Sequence, residues 1–420
     1  MKHQKLYTAV AIVLFVVLLV CSTLGLEHLL KDKNNYIKYN QFYEETENFD
    51  VLFFGSSRVL DGIMPIQLWD DYGIRGYNMA QHGENVLISY WQLKNALQYQ
   101  TPKVVFFDIS LFAAEIVTPE SEKETQAYLH KSLDHMPLSL TKIRAVEALT
   151  EGFTVNEYLF PLTMYHNRWN ELTAQDFYEA EPAFKGAEDR VTLEVESDAD
   201  WGGDEALDRE TFDPDRLYLD KVIEMCREKD IEIVITCMPA VNMKLQTYFY
   251  PAINSFEEYC DEYGVTFLNF CRDDAFLNNQ TDYADGAHLN PSGSRKLTSE
   301  IGAYLTETYT FDAEASARVQ EQWDTAYENY RLTRLAEIRN CAATQDIYGY
   351  MMLVSGTKEF DVRVSVPSKD YIQIEDVKTY LEELGHPLSE ASVDESLAGV
   401  TFTLIDARDG SVIEEHTFGL

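Results

Sequence analysis

Val51-Leu52-Phe53-Phe54-Gly55-Ser56-Ser57-Arg58 decides how the chain folds. Four apolar residues in a row, without alternation, suit a short strand buried on both faces of a parallel sheet. Gly55 and two serines then break the strand into a turn. A serine directly behind such a strand stands at the carboxyl edge of the sheet. Its hydroxyl is exposed there, and its backbone N–H can face a developing oxyanion. Taken alone the pattern is weak, because serines often follow strands as helix caps. Ser57 is the candidate nucleophile. Ser56 is the alternative, read as facing back into the turn.

The second informative stretch is Asp285-Gly286-Ala287-His288, followed by a helix start at Asn290-Pro291-Ser292. Asp285 can hydrogen-bond one ring nitrogen of His288 and leave the other for Ser57. The plain alternative is a surface loop with a capping Asp and an unrelated His, and with nine histidines in the chain chance proximity is not rare. Order and context weigh against it. The strand-borne serine comes first, and the Asp-x-x-His comes last, before the closing helix of an α/β pattern.

Outward from the serine turn, helical and strand patterns alternate. A helix is expected over Pro65–Tyr72, a strand over Gly76–Met79, a helix over Ile88–Tyr99 and a buried strand over Val104–Asp108. A fourth strand, Ile231–Met238, follows the helix Asp213–Lys229, and a fifth is Thr266–Phe270. The helix Ser292–Thr308 closes the pattern. This β-α-β-α-β order argues a parallel, helix-flanked sheet with its active groups at the strands' carboxyl ends. Residues 50–310 form this domain, with an aromatic, acidic insertion over about 110–212. Residues 311–346 read as a helical linker. Residues 347–420 read as a small separate α+β domain of order β-β-α-β-β, with Tyr348–Val354 as its first strand.

At the N-terminus, Lys2 and Lys5 precede Leu6–Leu26, 21 residues without a charge. That length fits one membrane-spanning helix, and the lysines favour a cytoplasmic N-terminus. A cleavable signal peptide is the competing reading, but the apolar run is longer than a usual signal core. On the anchor reading, residues 1–30 are a cytoplasmic tip and transmembrane segment, 31–49 a polar stalk, and the bulk of the chain is extracytoplasmic.

The 34 basic and 71 acidic residues give a net charge of −37, which repels nucleic acid. None of the six cysteines forms a CxxC pair or a zinc-spaced cluster. No phosphate loop, dinucleotide fingerprint or calcium loop is present, so no cofactor and no metal is expected.

Gly55-Ser56-Ser57 resembles the first block of the SGNH/GDSL hydrolase superfamily, and Asp285-Gly-Ala-His288 resembles its last. The resemblance implies Ser57 as nucleophile, His288 as base and Asp285 as the partner of His288. Asn78-Met-Ala-Gln-His-Gly83 is similar to the second block, and implies that the N–H groups of Ser57 and Gly83 form an oxyanion hole. The Gly-x-Asn-Asp block that usually supplies an oxyanion asparagine is absent. The anchor, the Gly-Ser-Ser-Arg turn, the Gly-Tyr-Asn strand and the terminal Asp-x-x-His most resemble the anchored extracytoplasmic branch. That branch includes the teichoic acid D-alanylation protein and proteins associated with polysaccharide O-acetyltransferases.

Asn78 and the group His166, Arg168 and Trp169 are the candidate substrate contacts. A histidine, an arginine and an aromatic within four residues suit a sugar bearing an anionic group. The alternative is that Trp169 packs the insertion and Arg168 pairs with a nearby acid.

The expected function is a membrane-anchored serine acyltransferase that moves a small acyl group, acetyl in the first instance, onto a cell-surface polysaccharide or polymer. Its partner would be a membrane-bound O-acyltransferase or an acyl carrier. A carbohydrate esterase with the same triad and a non-catalytic scaffold of a cell-envelope complex are the other two readings.

Overall fold

Five short strands dominated by Val, Ile, Leu and Phe build the central sheet, as buried parallel strands require. The computed structural model describes residues 2–31, 33–112, 122–150, 155–173, 176–177, 184–311 and 315–419. The strands are β1 (Val51–Phe54), β2 (Gly76–Asn78), β3 (Val104–Asp108), β4 (Glu232–Cys237) and β5 (Thr266–Asn269). They are all parallel and run in the order β2-β1-β3-β4-β5. Phe53 pairs with Asn78 on one side and Phe106 on the other. All four β1 residues are fully buried.

The order reverses direction between β1 and β3. In open α/β sheets, the crevice outside the carboxyl ends at such a reversal is where ligands bind. Ser57 follows β1 directly and therefore stands at that point.

The chain divides into two units. One comprises Met1–Glu45 with Glu122–Pro182, and the other Thr46–Ser121 with Ala183–Leu420. The first unit is helical, with helices Lys2–Leu30, Lys33–Glu44, Glu122–Leu133 and Leu140–Leu149 as its main elements. Lys33–Glu44, read from composition as part of a stalk, is thus a regular helix. The stretch Gln4–Leu30 is long and apolar enough to cross a membrane, and none of its most apolar window is buried in protein. Side chains such as Leu14, Phe15 and Leu18 are exposed there, as lipid-facing residues are.

The second unit holds the sheet and the whole C-terminal region. The helix Ala317–Thr344 buries Trp323, Tyr330, Arg334 and Ile338. The Gln67 amide donates to Tyr330 Oη at 2.9 Å and to the Gly356 carbonyl at 2.8 Å. Tyr380 Oη donates to the Thr281 carbonyl at 2.6 Å. Buried polar links of this kind join the C-terminal region to the α/β layer within this unit.

Tyr348–Val354 is a helix, Ile347–Ser355, and not the expected strand. Asp346 caps it by accepting from the Gly349 N–H at 2.9 Å. Tyr350, Met351, Met352 and Leu353 are all buried. A short apolar run enclosed on every side carries no period, so length and pattern alone do not separate helix from strand. The C-terminal sheet has β8 (Phe360–Val366), β9 (Ser392–Val393), β10 (Val400–Asp406) and β11 (Val412–Phe418) in the order β11-β10-β8-β9, counting as β6 and β7 the pair Tyr283–Asp285 and His288–Leu289.

Candidate active site

Gly55 makes the turn behind β1. Its φ is 153°, and a Cβ there would lie 2.7 Å from both Asp108 Cβ and Val59 Cγ2. Only glycine lets the chain leave the sheet at this angle. Ser56 then caps the helix Ser57–Gly62, accepting weakly from the Arg58 N–H at 3.4 Å. Ser56 is buried at 2% exposure, which leaves Ser57 as the serine at the first helical position with a half-buried side chain.

On the other side, β6 and β7 form a two-strand hairpin in which Asp285 pairs with His288. Asn290 anchors it, donating to the Thr281 carbonyl at 2.8 Å while capping the helix Pro291–Thr308. The hairpin presents His288 to Ser57. Ser57 Oγ and His288 Nε2 are 2.7 Å apart, and His288 Nδ1 lies 2.7 and 3.0 Å from the two oxygens of Asp285. The Ala287 N–H also donates to Asp285 Oδ1 at 2.9 Å.

The electrostatics favour a neutral imidazole beside a charged carboxylate. Burial pulls the His288 pKa below its ordinary 6.5, the Asp285 hydrogen bond opposes this, and the Arg190 and Arg58 charges add to it. For Asp285, burial raises the pKa, but the Ala287 N–H, His288 and Arg190 together hold it below the usual value. A serine hydroxyl against a neutral imidazole that is fixed by an ionised carboxylate is an arrangement able to pass a proton from serine to histidine.

Asn78 occupies a different role from the expected substrate contact. It is fully buried, its amide donates to the carbonyls of Val59 (2.8 Å) and Ile63 (3.0 Å), and its oxygen accepts from the Ala80 N–H at 3.1 Å. Both donors are thus spent holding the helix Ser57–Gly62 to the end of β2. Gly83 sits in the turn closed by the Glu84 N–H on the Gln81 carbonyl at 3.2 Å, with a φ of 67°. That positive φ suits glycine at this point of the turn.

His166, Arg168 and Trp169 belong to the helical unit. Arg168 donates to Asp176 Oδ1 at 2.9 Å and to the carbonyls of Leu30 and Lys31 at 2.6 Å each. Those carbonyls end the apolar helix, so Arg168 caps its C-terminus. His166 Nδ1 meets the Thr163 carbonyl at 2.8 Å, and Trp169 is exposed.

Six further residues near the array were not among the candidate site residues. The carboxyl end of β3 places buried Asp108, which accepts from Ser110 Oγ at 2.6 Å and from the Met238 N–H at 3.1 Å. Burial pushes its pKa up to about 6. Arg58, also buried, donates to the Ser110 carbonyl at 3.0 Å. Arg190 bridges Asp61 (2.9 Å) and Asp285 (3.2 Å). Asp61, His82 and Glu188 bring ligand-type atoms within 4.8 Å of one another. Arg190 already donates to Asp61, and its fixed positive charge opposes a cation there. Only Arg58 carried a local signal, as a charge directly behind the serine turn. The others meet across long sequence separations.

No family model and no curated protein matches this chain. Among solved structures, 22 chains match. A candidate acylhydrolase from Bacteroides fragilis is 10% identical over 64% of this chain and 94% of its own, with a TM-score of 0.34. A GDSL-like lipase from Bacteroides thetaiotaomicron is 9% identical over 65% of this chain and 100% of its own, with a TM-score of 0.33. At this degree of likeness, neither protein's activity carries over to this chain.

Proposed function

We propose that the chain is a membrane-anchored serine acyltransferase of SGNH type, acting outside the cell on a cell-surface polysaccharide or polymer. The observation that supports it is the continuous array Ser57–His288–Asp285 at the point where the parallel sheet reverses its order. Ser57 Oγ attacks the carbonyl carbon of a small acyl ester while His288 Nε2 takes its proton. The proton then passes to the leaving oxygen as the acyl–oxygen bond breaks, leaving an acyl-Ser57 ester. In the second half, His288 takes a proton from an acceptor hydroxyl. That oxygen attacks the acyl-serine, and Ser57 leaves with the proton returned. The N–H groups of Ser57 and Gly83 stabilise the tetrahedral oxyanion in both halves. Asp285 keeps Nδ1 protonated and holds the ring.

The apolar N-terminal helix supports an acyl donor at the membrane, such as an acyl carrier or a membrane-bound O-acyltransferase. The test is the intact mass of the full chain in detergent after exposure to an aryl acetate, with Ser57→Ala as control. An acetyl adduct that persists in water and discharges to an added glycan supports transfer. Rapid turnover in water alone makes the protein an esterase. No adduct, with or without membranes, overturns the catalytic reading and favours a scaffold.

A further inference from the structure

We propose that Arg190 is a positioning residue for the Ser57–His288–Asp285 array, clamping Asp285 to the buried carboxylate of Asp61, and that Arg334 fixes the segment carrying Arg190 through its neighbour Asp189. The proposal rests on the acyl-transfer reading above.

The geometry closes a ring. Asp61 lies four residues after Ser57 on the same short helix, one turn away, with 2% exposure. Arg190 Nε donates to Asp61 Oδ2 at 2.9 Å, and its Nη1 donates to Asp285 Oδ2 at 3.2 Å. One guanidinium therefore ties the helix that bears the nucleophile to the hairpin that bears the base's partner. Arginine suits this because its donors are held in a rigid planar fork. Asp285 is over a third exposed at its side chain, so without a second tether it is held by the Ala287 N–H and His288 alone.

The segment around Arg190 is fastened along its length. The Glu188 N–H donates to the Leu60 carbonyl at 3.1 Å, on the nucleophile helix. Thr192 Oγ1 donates to the Ala284 carbonyl at 3.2 Å, and the Glu194 N–H to the Tyr283 carbonyl at 3.1 Å, both on the hairpin. Arg190 lies between these two sets. Upstream, Gly186 has a φ of 88°, and a Cβ there would fall 2.3 Å from the Asn78 carbonyl oxygen, so the segment enters by close backbone approach.

Asp189 and Arg190 are adjacent in the chain but pair with different partners. Asp189 pairs at 2.7 Å with Arg334 of the helix Ala317–Thr344, at side-chain exposures of 7% and 1%. Arg334 also lies over the rings of Phe184 and Tyr330. The C-terminal region thereby reaches the array through two consecutive residues.

The charged groups around the clamp are Asp61, Asp285, His82, Glu188, Glu196, His288 and Arg58. Arg190 favours the ionised form of Asp285 and disfavours the protonated form of His288. Replacing it with a neutral residue therefore raises the His288 pKa, a change that a purely structural role does not produce.

The experiment compares full-length protein in detergent as wild type, Arg190→Met and Arg190→Lys. Aryl acetate turnover is measured against pH, and the His288 ring titration is followed by NMR with histidine-labelled protein, His288→Gln giving the assignment. Arg190→Met is expected to lose about tenfold or more in kcat with KM little changed. Its His288 pKa and the acid limb of its profile move upward, because the Arg190 charge that disfavours the imidazolium is gone. Arg190→Lys recovers part of both. Asp189→Asn, which keeps the fork but removes the anchor's charge, gives a smaller loss of the same kind. Unchanged kcat and titration in Arg190→Met overturn the proposal. So does an equal loss in the Met and Lys variants with a lowered Tm and an unmoved titration. If wild type shows no turnover, the NMR shift still decides the clamp, and it is the acyl-transfer reading that fails.

Discussion

Ser57 Oγ and His288 Nε2 stand 231 residues apart in the chain and 2.7 Å apart in the fold. Nothing local brings them together. Ser57 is fixed by a strand end and a glycine turn, and His288 by a hairpin and the cap of the closing helix. Two rigid supports meeting at one edge of a sheet hold a hydrogen bond better than two loops do.

Removal of either member should abolish turnover without unfolding the protein. Ser57→Ala and His288→Gln are each expected to lower aryl acetate turnover by roughly a thousandfold or more, because the two act as a unit. The double variant should cost little beyond either single one. Thermal melts should stay within a few degrees of wild type, since both side chains are only partly buried.

The pH profile follows from His288. Its pKa lies below the ordinary 6.5, so the neutral base is populated at neutral pH and activity should fall only on acidification below that value. In Asp285→Asn, the group that raises the His288 pKa loses its charge. The acid limb should move to still lower pH, while kcat drops by roughly 10²–10⁴ through loss of the correct tautomer. A limb that moves upward would contradict the assignment of His288 as base.

Asn78→Ala should be a stability variant. It deprives the carbonyls of Val59 and Ile63 and the Ala80 N–H of their partner, all in a buried setting. The expected cost is about 2–4 kcal/mol in urea unfolding. Any fall in activity should track the folded fraction, leaving KM for an acceptor unchanged.

Asp108 makes a pH-dependent contribution to stability. Its folded pKa, about 6, lies above the ordinary 3.8, so the folded state holds the proton more tightly than the unfolded chain. Stability is therefore greater below the window of 3.8 to about 6, and this contribution is lost as pH rises through it. Asp108→Asn removes the ionisation. The difference in unfolding free energy between variant and wild type should grow in the variant's favour from pH 4 to pH 7, by an amount on the order of 3 kcal/mol at most. A difference flat with pH would show that Asp108 does not titrate in this window.

Arg168→Ala distinguishes a cap from a substrate contact. Its bonds to Asp176 and to the carbonyls of Leu30 and Lys31 predict destabilisation of the helical unit, by about 1–3 kcal/mol. Limited proteolysis should find that unit more readily cleaved, with acceptor KM unchanged. A selective rise in acceptor KM with no change in proteolysis would return Arg168 to substrate binding.

Much of the α/β layer could be read from local pattern. All-apolar runs such as Val51–Phe54 and Val104–Phe107 are required by strands covered on both faces, and that requirement is visible residue by residue. The serine turn and the Asp-x-x-His stretch were legible for the same reason, as each is a contiguous local structure. The helix Ile347–Ser355 was not, because complete burial erases the period that tells helix from strand. The role of Asn78 was hidden too, since its carbonyl partners lie 15 and 19 residues away, in and at the end of the short helix Ser57–Gly62.

The sequence by itself determined where strands end, where helices begin, which serine follows a buried strand and which histidine has a carboxylate three residues before it. These are properties of short segments, set by burial, backbone sterics and capping. Only the tertiary structure decided that Ser57 meets His288, that Arg190 joins Asp61 to Asp285, and that Arg334 reaches the neighbouring Asp189. Those pairings depend on how the sheet orders its strands and how the C-terminal helix packs. A charge's partner so far away in the chain is set by that packing, not by anything in the charge's own neighbourhood.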